Sequence, residues 1–161
     1  MTSAADFPPP STESLRIIEE AVYLALALAQ RLQDNYARHA ADAGLTAAQA
    51  NVLCALKPDQ AVSQRALADQ LKYDPSNLTG LIDKLEARGA VRRRPDNHDR
   101  RVKMLLVTEK GTQIRNEFWS ALTSDPGPLA HLTADRARAL RDRLAEALDT
   151  ERHDAQAAEK K

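Results

Sequence analysis

The stretch from residue 74 to residue 107 constrains the fold more than any other part of the chain. Asp74 can cap the N-terminus of a helix, and Pro75 suits the first helical position, where its missing N–H is harmless. Four apolar residues then recur at helical spacing: Leu78, Leu81, Ile82 and Leu85. Gly89 can end this helix. The stretch therefore predicts a capped helix with one buried stripe and an outward face of short polar side chains.

A shorter helix is predicted just before this one. Ser63 can cap its first turn, and its expected buried side consists of Ala66, Leu67 and Leu71. Only two residues separate the two predicted helices, which is typical of a helix-turn-helix. In such a unit the second helix enters the major groove of DNA.

A basic hairpin is predicted after the second helix. The polar turn 95–99 is flanked on both sides by cations: Arg92, Arg93, Arg94, Arg100, Arg101 and Lys103. Residues 102–107 are strand-like, so the two arms can pair. A hairpin with cations on both arms can straddle a phosphate backbone and place an arginine in the minor groove. The predicted fold class is mainly α with a small β-hairpin wing, a winged helix-turn-helix.

Several short motifs resemble the MarR family of bacterial transcription regulators. They include Leu45-Thr-Ala-Ala-Gln49, Asp74-Pro-Ser76, Asp99-Arg-Arg101 and Leu106-Val-Thr-Glu-Lys-Gly111, and the resemblance extends over residues 45 to 118. It implies an obligate dimer of winged helices, usually a repressor, that is released from DNA by a small ligand or by thiol oxidation. Gly80 departs from the family pattern, in which arginine or another long side chain is common.

The predicted partner is double-stranded DNA carrying a palindromic operator. The expected DNA-binding residues lie on the two helices and the wing: Ser63, Gln64, Arg65, Ser76, Asn77, Thr79, Gly80, Lys84, Arg92, Arg94, Asp99, Arg100, Arg101 and Lys103. A carboxylate beside phosphates would repel them, so we expect Asp99 to clamp Arg101 and to set the shape of the wing.

The two ends of the chain predict a homodimer. Residues 1–11 are proline-rich and predict a disordered arm, while residues 12–161 predict a single domain. Within it, 45–108 form the winged helix-turn-helix, and 12–44 and 109–150 form N- and C-terminal dimerisation helices. The first helix has apolar residues on two sides, so it needs cover from a partner subunit as well as from its own domain.

Composition restricts the remaining function classes. Formal net charge is +0, so DNA affinity must come from the local cluster between Lys84 and Lys103. One cysteine excludes an intrachain disulfide framework and fits the cytoplasm. The sequence contains no apolar run of membrane-spanning length and no catalytic motif, and its four histidines lack ligand spacing. We therefore expect a binding protein without catalytic residues, metal, cofactor or membrane association.

The effector is the least constrained part of the prediction. An aromatic or amphipathic acid could bind between the first helix and the winged helix, near Tyr23, Tyr36, His39, Arg115 and Trp119. A thiol-responsive regulator acting through Cys54 is an alternative, although an apolar helix without an adjacent cation favours a packing role for that residue. The other alternative is a protein-interaction or architectural module that has lost specific readout.

Overall fold

The structure, a computed structural model, describes residues 11–96, 99 and 101–158, with side chains described up to Asp149. It falls into two compact units, one ending at Asp125 and the other starting at Pro126. The first contains α1 (Thr12–Asp42), α2 (Ala47–Ala55), β1 (Val62–Ser63), α3 (Gln64–Leu71), α4 (Pro75–Ala87), β2 (Val91–Pro95), β3 (Lys103–Val107) and α5 (Glu109–Ser124). The second contains a 3-10 turn (Gly127–Leu129) and α6 (Ala134–Ala158). A mainly helical chain with a small sheet confirms the predicted fold class.

Helix α4 forms as the sequence predicts. The Asp74 carboxylate accepts hydrogen bonds from the backbone N–H groups of Ser76 and Asn77, and Pro75 is the first helical residue. The predicted stripe is buried, and it comprises Leu78, Leu81, Ile82 and Leu85. The helix ends at Ala87, and Gly89 follows with a φ of +74°, a left-handed conformation that glycine adopts without strain.

Helix α3 requires one correction. Ser63 caps it through a 3.1 Å hydrogen bond from the Ala66 backbone N–H, as predicted. Ala66 itself is exposed, however, and Ala68 is buried beside Leu67. Alanine is small enough to lie on either side of an amphipathic helix, so its position depends on tertiary packing rather than on its own hydrophobicity.

The wing is part of a three-stranded antiparallel sheet with strand order β1-β3-β2. Strand β1 has only two residues and was not predicted, because so short a segment carries no alternating pattern. The central strand β3 begins at Lys103, so the strand-like Val102 lies outside it and is exposed. The pairing of Arg93 with Leu105 and of Arg94 with Met104 fixes which side chains share each face.

The core of the first unit packs α1, α2 and α5 with the winged helix-turn-helix. Phe118 of α5 is its largest fully buried side chain, with its ring 4.9 Å from that of Tyr36 in an edge-to-face arrangement. Gly111 allows the start of α5 to approach the sheet, because a Cβ there would lie 2.0 Å from the Ala90 carbonyl oxygen. Thr108 caps α5 as predicted.

A contact between the ends of α1 and α4 was not predicted. The Arg88 guanidinium donates a 2.7 Å hydrogen bond to the Ala43 carbonyl and another hydrogen bond to the Gly44 carbonyl. Arg88 directly follows α4, whereas Ala43 directly follows α1. This contact ties the C-terminal end of α4 to the C-terminal end of α1.

The terminal helices expose apolar side chains in the single chain. In α1 the exposed apolar residues include Leu15, Ile17, Ile18, Val22, Leu24 and Leu26, and in α6 they include Leu144 and Leu148. Ser11, the last residue of the predicted arm 1–11, caps α1 through a hydrogen bond from the Ser14 N–H. Residues 1–10 of that arm lie outside the described residues. The exposed faces fit the predicted partner cover, and the dimer and the single-domain assignment stay predictions.

Candidate nucleic-acid interface

The N-terminal half of α4 presents a short polar face. Ser76, Asn77, Gly80 and Lys84 are exposed. The Ser76 hydroxyl donates a hydrogen bond to the Asp74 carboxylate, and with the backbone N–H groups of Ser76 and Asn77 it lowers the pKa of Asp74. Asp74 is therefore a charged cap that fixes the start of the helix and its first polar side chain. Asn77 donates only its backbone N–H to the cap, so its side chain is available to a partner.

Two side chains that the sequence assigns to DNA connect α3 to α4. The Gln64 Nε2 donates to the Thr79 hydroxyl at 2.7 Å, and that hydroxyl donates to the Pro75 carbonyl at 2.8 Å. Both side chains are half-buried, whereas Arg65 is exposed. Gln64 and Thr79 therefore fix the relative position of the two helices. Residues separated by fifteen positions give no local signal of such a bond, so sequence reasoning missed it.

The arginines of β2 divide between the two faces of the strand. Arg92 and Arg94 are exposed on one face, while Arg93 shares the other with the buried Leu105. The Arg93 guanidinium donates to Asp83 at 2.6 Å and also to Glu86, whose second oxygen accepts the Arg93 backbone N–H at 3.0 Å. Burial lowers the pKa of Arg93, but its hydrogen bonds to Asp83 and Glu86 outweigh this and raise it.

Arg93 therefore fixes the wing to α4 and is not a free cation. The sequence contains a signal for this role, because alternate residues of a strand face the same side and Arg93 is two residues after the apolar Val91.

Arg93→Ala is expected to lower the free energy of unfolding by about 1–2 kcal/mol, a value reduced for the partial exposure of both carboxylates. Arg92→Ala is the matched control on the opposite face and should change stability by less than about 0.5 kcal/mol. Urea denaturation followed by circular dichroism measures both. Equal stability of the two variants would contradict the role of Arg93 as the tie between wing and helix.

In the described part of the wing tip, Asp99 accepts two hydrogen bonds from backbone N–H groups, one at its carboxylate and one at its carbonyl. Asp99 accepts the backbone N–H of Arg101 at 2.9 Å, and the Val102 N–H donates to the Asp99 carbonyl at the same distance. Asp99 therefore contacts Arg101 through its backbone N–H, whereas the sequence led us to expect a clamp on the guanidinium. Arg101 and Lys103 are exposed. Arg100, which the sequence also assigns to DNA, lies outside the described residues.

Helices α3 and α4 and the wing border an open cavity of about 760 Å³. Its lining includes Arg65 from α3, Thr79 from α4, and Arg101 and Lys103 from the wing. Three cations, one from α3 and two from the wing, therefore border one concave surface next to α4, together with the acidic residue Asp69. A concave basic surface of this kind suits a phosphate backbone.

The proposed effector residues do not form one group. Tyr36, Arg115 and Trp119 lie around Cys54, while Tyr23 is thirteen residues from Tyr36 along α1, about 20 Å away, and is 72% exposed. Arg115 donates a hydrogen bond to the Leu56 carbonyl at 2.9 Å, so it supports the end of α2. A separate cavity of about 590 Å³ adjoins Tyr36 and is lined by residues of α1 and α2.

His39 belongs to a polar cluster at the ends of α1 and α5. It is buried, and its Nε2 lies 3.2 Å from the Asp125 carbonyl oxygen. Asn35 is also buried and donates to the same carbonyl at 3.0 Å, while Arg38 donates to the Asp125 carboxylate at 2.6 Å. These contacts satisfy the end of α5 and give His39 a structural role.

The environment of Cys54 opposes thiol reactivity. Burial raises the pKa of the Cys54 thiol, and this outweighs the lowering by hydrogen bonds from Tyr36 and Trp119 and by the charge of Arg115. The expectation that no cation lies nearby is therefore wrong, because α5 brings Arg115 close. Burial also raises the pKa of the Tyr36 hydroxyl, with a further contribution from Cys54.

We expect slow alkylation of Cys54 by iodoacetamide. Because burial raises the pKa of the thiol, a smaller fraction of it is thiolate at neutral pH than in the unfolded chain, and the rate should rise only at a higher pH than in the unfolded protein. Mass spectrometry over a pH series measures this, with the urea-unfolded protein as the control. Faster alkylation in the folded protein than in the unfolded protein would favour the thiol-switch alternative.

Other kinds of site find little support in the structure. Among the side chains that the structure describes, in residues 11–96, 99 and 101–149, no group of three or more histidine, cysteine or acidic residues could hold a metal ion. Within the same residues, no helix combines the length and the apolar character needed to span a bilayer.

The helix-turn-helix, the three-stranded sheet and the concave basic surface define a winged helix-turn-helix protein. Comparison with known sequences gives the family: the model of the MarR family matches residues 45–103. MdtR of Bacillus subtilis, a transcriptional repressor, is 30% identical over 125 residues that cover 70% of this chain and 81% of MdtR. The chain belongs to the MarR family.

Two further relatives are also HTH-type regulators. TtmR of Methylorubrum extorquens is 34% identical over 65% of this chain and 53% of its own length. The repressor NicR of Pseudomonas putida is 31% identical over 61% of this chain and 62% of NicR. The chain thus spans about half the length of TtmR and under two thirds of NicR. These relatives are transcriptional regulators and not enzymes, which agrees with the sequence prediction.

Solved structures support the same assignment. MarR of E. coli without ligand has 25% identity and a TM-score of 0.69, covering 78% of this chain and 94% of MarR. A cysteine-to-serine mutant of MarR in complex with operator DNA has 25% identity and a TM-score of 0.67, covering 81% and 95%. CouR of Rhodococcus jostii, bound to p-coumaroyl-CoA, has 25% identity and a TM-score of 0.64, covering 77% and 88%.

Proposed function

We propose that the protein is a dimeric, sequence-specific DNA-binding regulator, most simply a repressor, whose two copies bind the half-sites of a palindromic operator. The observation that carries this proposal is the juxtaposition of Arg65, Arg101 and Lys103 around one concavity beside the polar face of α4. Cations on either side of a polar helix can bind phosphates while the helix reads base edges.

The charge distribution favours local over general attraction to DNA. Net charge is +0, so a non-specific polyanion gains little from the protein as a whole. The exposed cations of the interface lie on α3, α4 and both arms of the wing: Arg65, Lys84, Arg92, Arg94, Arg101 and Lys103. An orientation that places all of them near phosphates is much more favourable than other orientations, which supports a defined binding mode.

Relatives support the same direction. The operator-bound MarR mutant has the fold described here, and the relatives MdtR and NicR are named repressors. Each half-site would be read by one winged helix-turn-helix, with α1 and the C-terminal helices joining two copies. The proposed place of action is the bacterial cytoplasm, where the DNA lies.

The proposed effector is a small organic molecule. CouR shows that a structure similar to this one holds an aromatic acyl thioester. In this chain, the cavity of about 590 Å³ beside Tyr36 has a volume in the range of small-molecule binding pockets. Its lining residues on α1 and α2 include Gln30, Gln33 and Asn51, which can hydrogen-bond a polar group of the ligand.

The decisive experiment measures binding to DNA from the region upstream of the protein's own gene. Fluorescence anisotropy with this duplex and with a scrambled duplex, from 50 to 300 mM salt, gives the affinity ratio and the salt slope. A regulator of this kind should prefer its own upstream DNA by at least about 1000-fold. Equal affinity for both duplexes would leave only an architectural binder, and no binding to either would favour a protein-interaction module.

Arg101→Ala tests the role of the wing in this complex. We expect operator binding to weaken by about 1–3 kcal/mol, because Arg101 borders the concavity and can reach the DNA backbone or minor groove. Arg141→Ala, which removes an exposed arginine of α6, is the control and should bind as the unmodified protein does. Unchanged affinity of Arg101→Ala at 150 mM salt would exclude the wing from the interface.

A further inference from the structure

Four of the five glycines have a reason for being glycine within the chain itself. Gly44, Gly89 and Gly127 adopt positive φ values of 70°, 74° and 58°, which side chains disfavour. At Gly111 a Cβ would collide with the Ala90 carbonyl oxygen. In these positions either the backbone conformation or the packing excludes a larger residue.

Gly80 has neither reason. It lies in the middle of α4 with ordinary helical backbone, and apart from its chain neighbours and the backbone of its own helix no described atom lies within 4 Å of the position that a Cβ would occupy. Glycine in the interior of an exposed helix lowers stability relative to alanine, because it gains backbone freedom when the chain unfolds. Gly80 therefore lowers the stability of the fold, and no contact within the chain requires a glycine at this position.

The position of Gly80 on α4 indicates which surface would require a glycine. It is three residues after Asn77 and four after Ser76, so these residues share one face of α4. That face is exposed, and the residues that precede Ser76 and Gly80 in the chain, Pro75 and Thr79, line the cation-bordered concavity. The backbone N–H and C=O groups of a helix interior are already paired, so the bare position offers close van der Waals approach and no hydrogen bond.

We infer that Gly80 is a close-approach position at which the backbone of α4 contacts duplex DNA. The inference rests on the proposed function and adds a determinant of specificity to it. Without a side chain at this point, the helix can lie deeper in the groove, so that the short side chains of Ser76 and Asn77 reach base edges. A methyl group at residue 80 would hold the helix away from the DNA and weaken those contacts.

The test exploits opposite effects on stability and binding. Gly80→Ala should raise the melting temperature by about 1–4 °C, because alanine favours the helix. The same variant should bind the fluorescein-labelled upstream duplex at least about 10-fold more weakly, since each lost base contact reduces affinity by a factor of that size. Gly80→Leu should bind more weakly still. Ala87→Leu, at an exposed position two turns later on α4, is the control and should bind normally.

The outcomes separate this inference from the proposed function. If the unmodified protein prefers the upstream duplex and Gly80→Ala binds it equally well, the close-approach role is wrong and the proposed function stands. A loss of binding accompanied by a lower melting temperature would indicate damage to the fold and would also overturn the inference. If the unmodified protein shows no preference for the upstream duplex, the proposed function fails and the inference fails with it.

Discussion

Phe118→Ala is expected to lower the free energy of unfolding by about 3–5 kcal/mol. Phe118 is 1% exposed, and its ring packs edge-to-face against Tyr36 at 4.9 Å and against Trp119 at 5.8 Å. Truncation removes both ring contacts and leaves a cavity between α1, α2 and α5 that the helices can close only in part. Urea denaturation followed by far-ultraviolet circular dichroism measures the change.

Trp119→Ala provides the comparison for this substitution. Trp119 is 45% exposed in the single chain, so it loses less buried area than Phe118 and should destabilise by a smaller amount. A loss at Phe118 no larger than the loss at Trp119 would contradict the central position of Phe118 in the core.

Ile18→Asp is expected to convert the proposed dimer into a monomer and to weaken operator binding by at least about 100-fold. Ile18 is 54% exposed in the single chain and lies among other exposed apolar residues of α1. A carboxylate there would be buried without a partner at the interface between two copies. The loss of DNA affinity follows because a monomer reads one half-site and forfeits the gain from linking two.

Sedimentation velocity and DNA anisotropy on the same samples test both effects. Arg16→Asp places the same carboxylate on the same helix at a position that is already polar, and it should remain dimeric with normal DNA binding. An Ile18→Asp protein that stays dimeric would show that this face of α1 is not the interface. A monomer that binds the operator as tightly as the parent would separate assembly from DNA binding.

The winged helix-turn-helix was predictable because its signals are local. The cap at Asp74, the proline after it and the apolar spacing within α4 depend on residues a few positions apart. Glycine at the end of α4 and threonine at the start of α5 are equally local. The predicted burial of Ala66 was wrong, because helical periodicity assigns a residue to a face of the helix only to within the width of one side chain.

The candidate site was less predictable because its side chains depend on tertiary partners. The bond between Gln64 and Thr79 joins two helices, and the ion pairs of Arg93 join a strand to a helix. From the sequence alone, Gln64 and Thr79 were assigned to the same DNA-binding surface as Arg65 and Asn77. Only the fold distinguishes the residues that join α3, α4 and the wing to one another from exposed residues such as Arg65 and Asn77.

The proposed effector pocket was the least predictable part of the chain. Aromatic residues with polar tips are as suitable for core packing as for ligand binding, and Tyr36 and Trp119 both contact the core around Phe118. His39 serves the end of α5, and Arg115 serves the end of α2. A side chain can hydrogen-bond the free carbonyl groups at the end of another helix only if the two helices cross nearby. The spacing of residues in the sequence contains no information about how helices cross.

The hydrogen bonds of Arg88 to Ala43 and Gly44 join the C-terminal ends of α4 and α1, so a movement of α1 would be transmitted to α4. Helix α1 has 31 residues and is therefore about 46 Å long. If its N-terminal end were held, a tilt of about 5° would displace its C-terminal end, and α4 with it, by about 4 Å. This displacement slightly exceeds the rise of one base pair, about 3.4 Å. A tilt of a few degrees would thus move α4 by a distance comparable to one base-pair step.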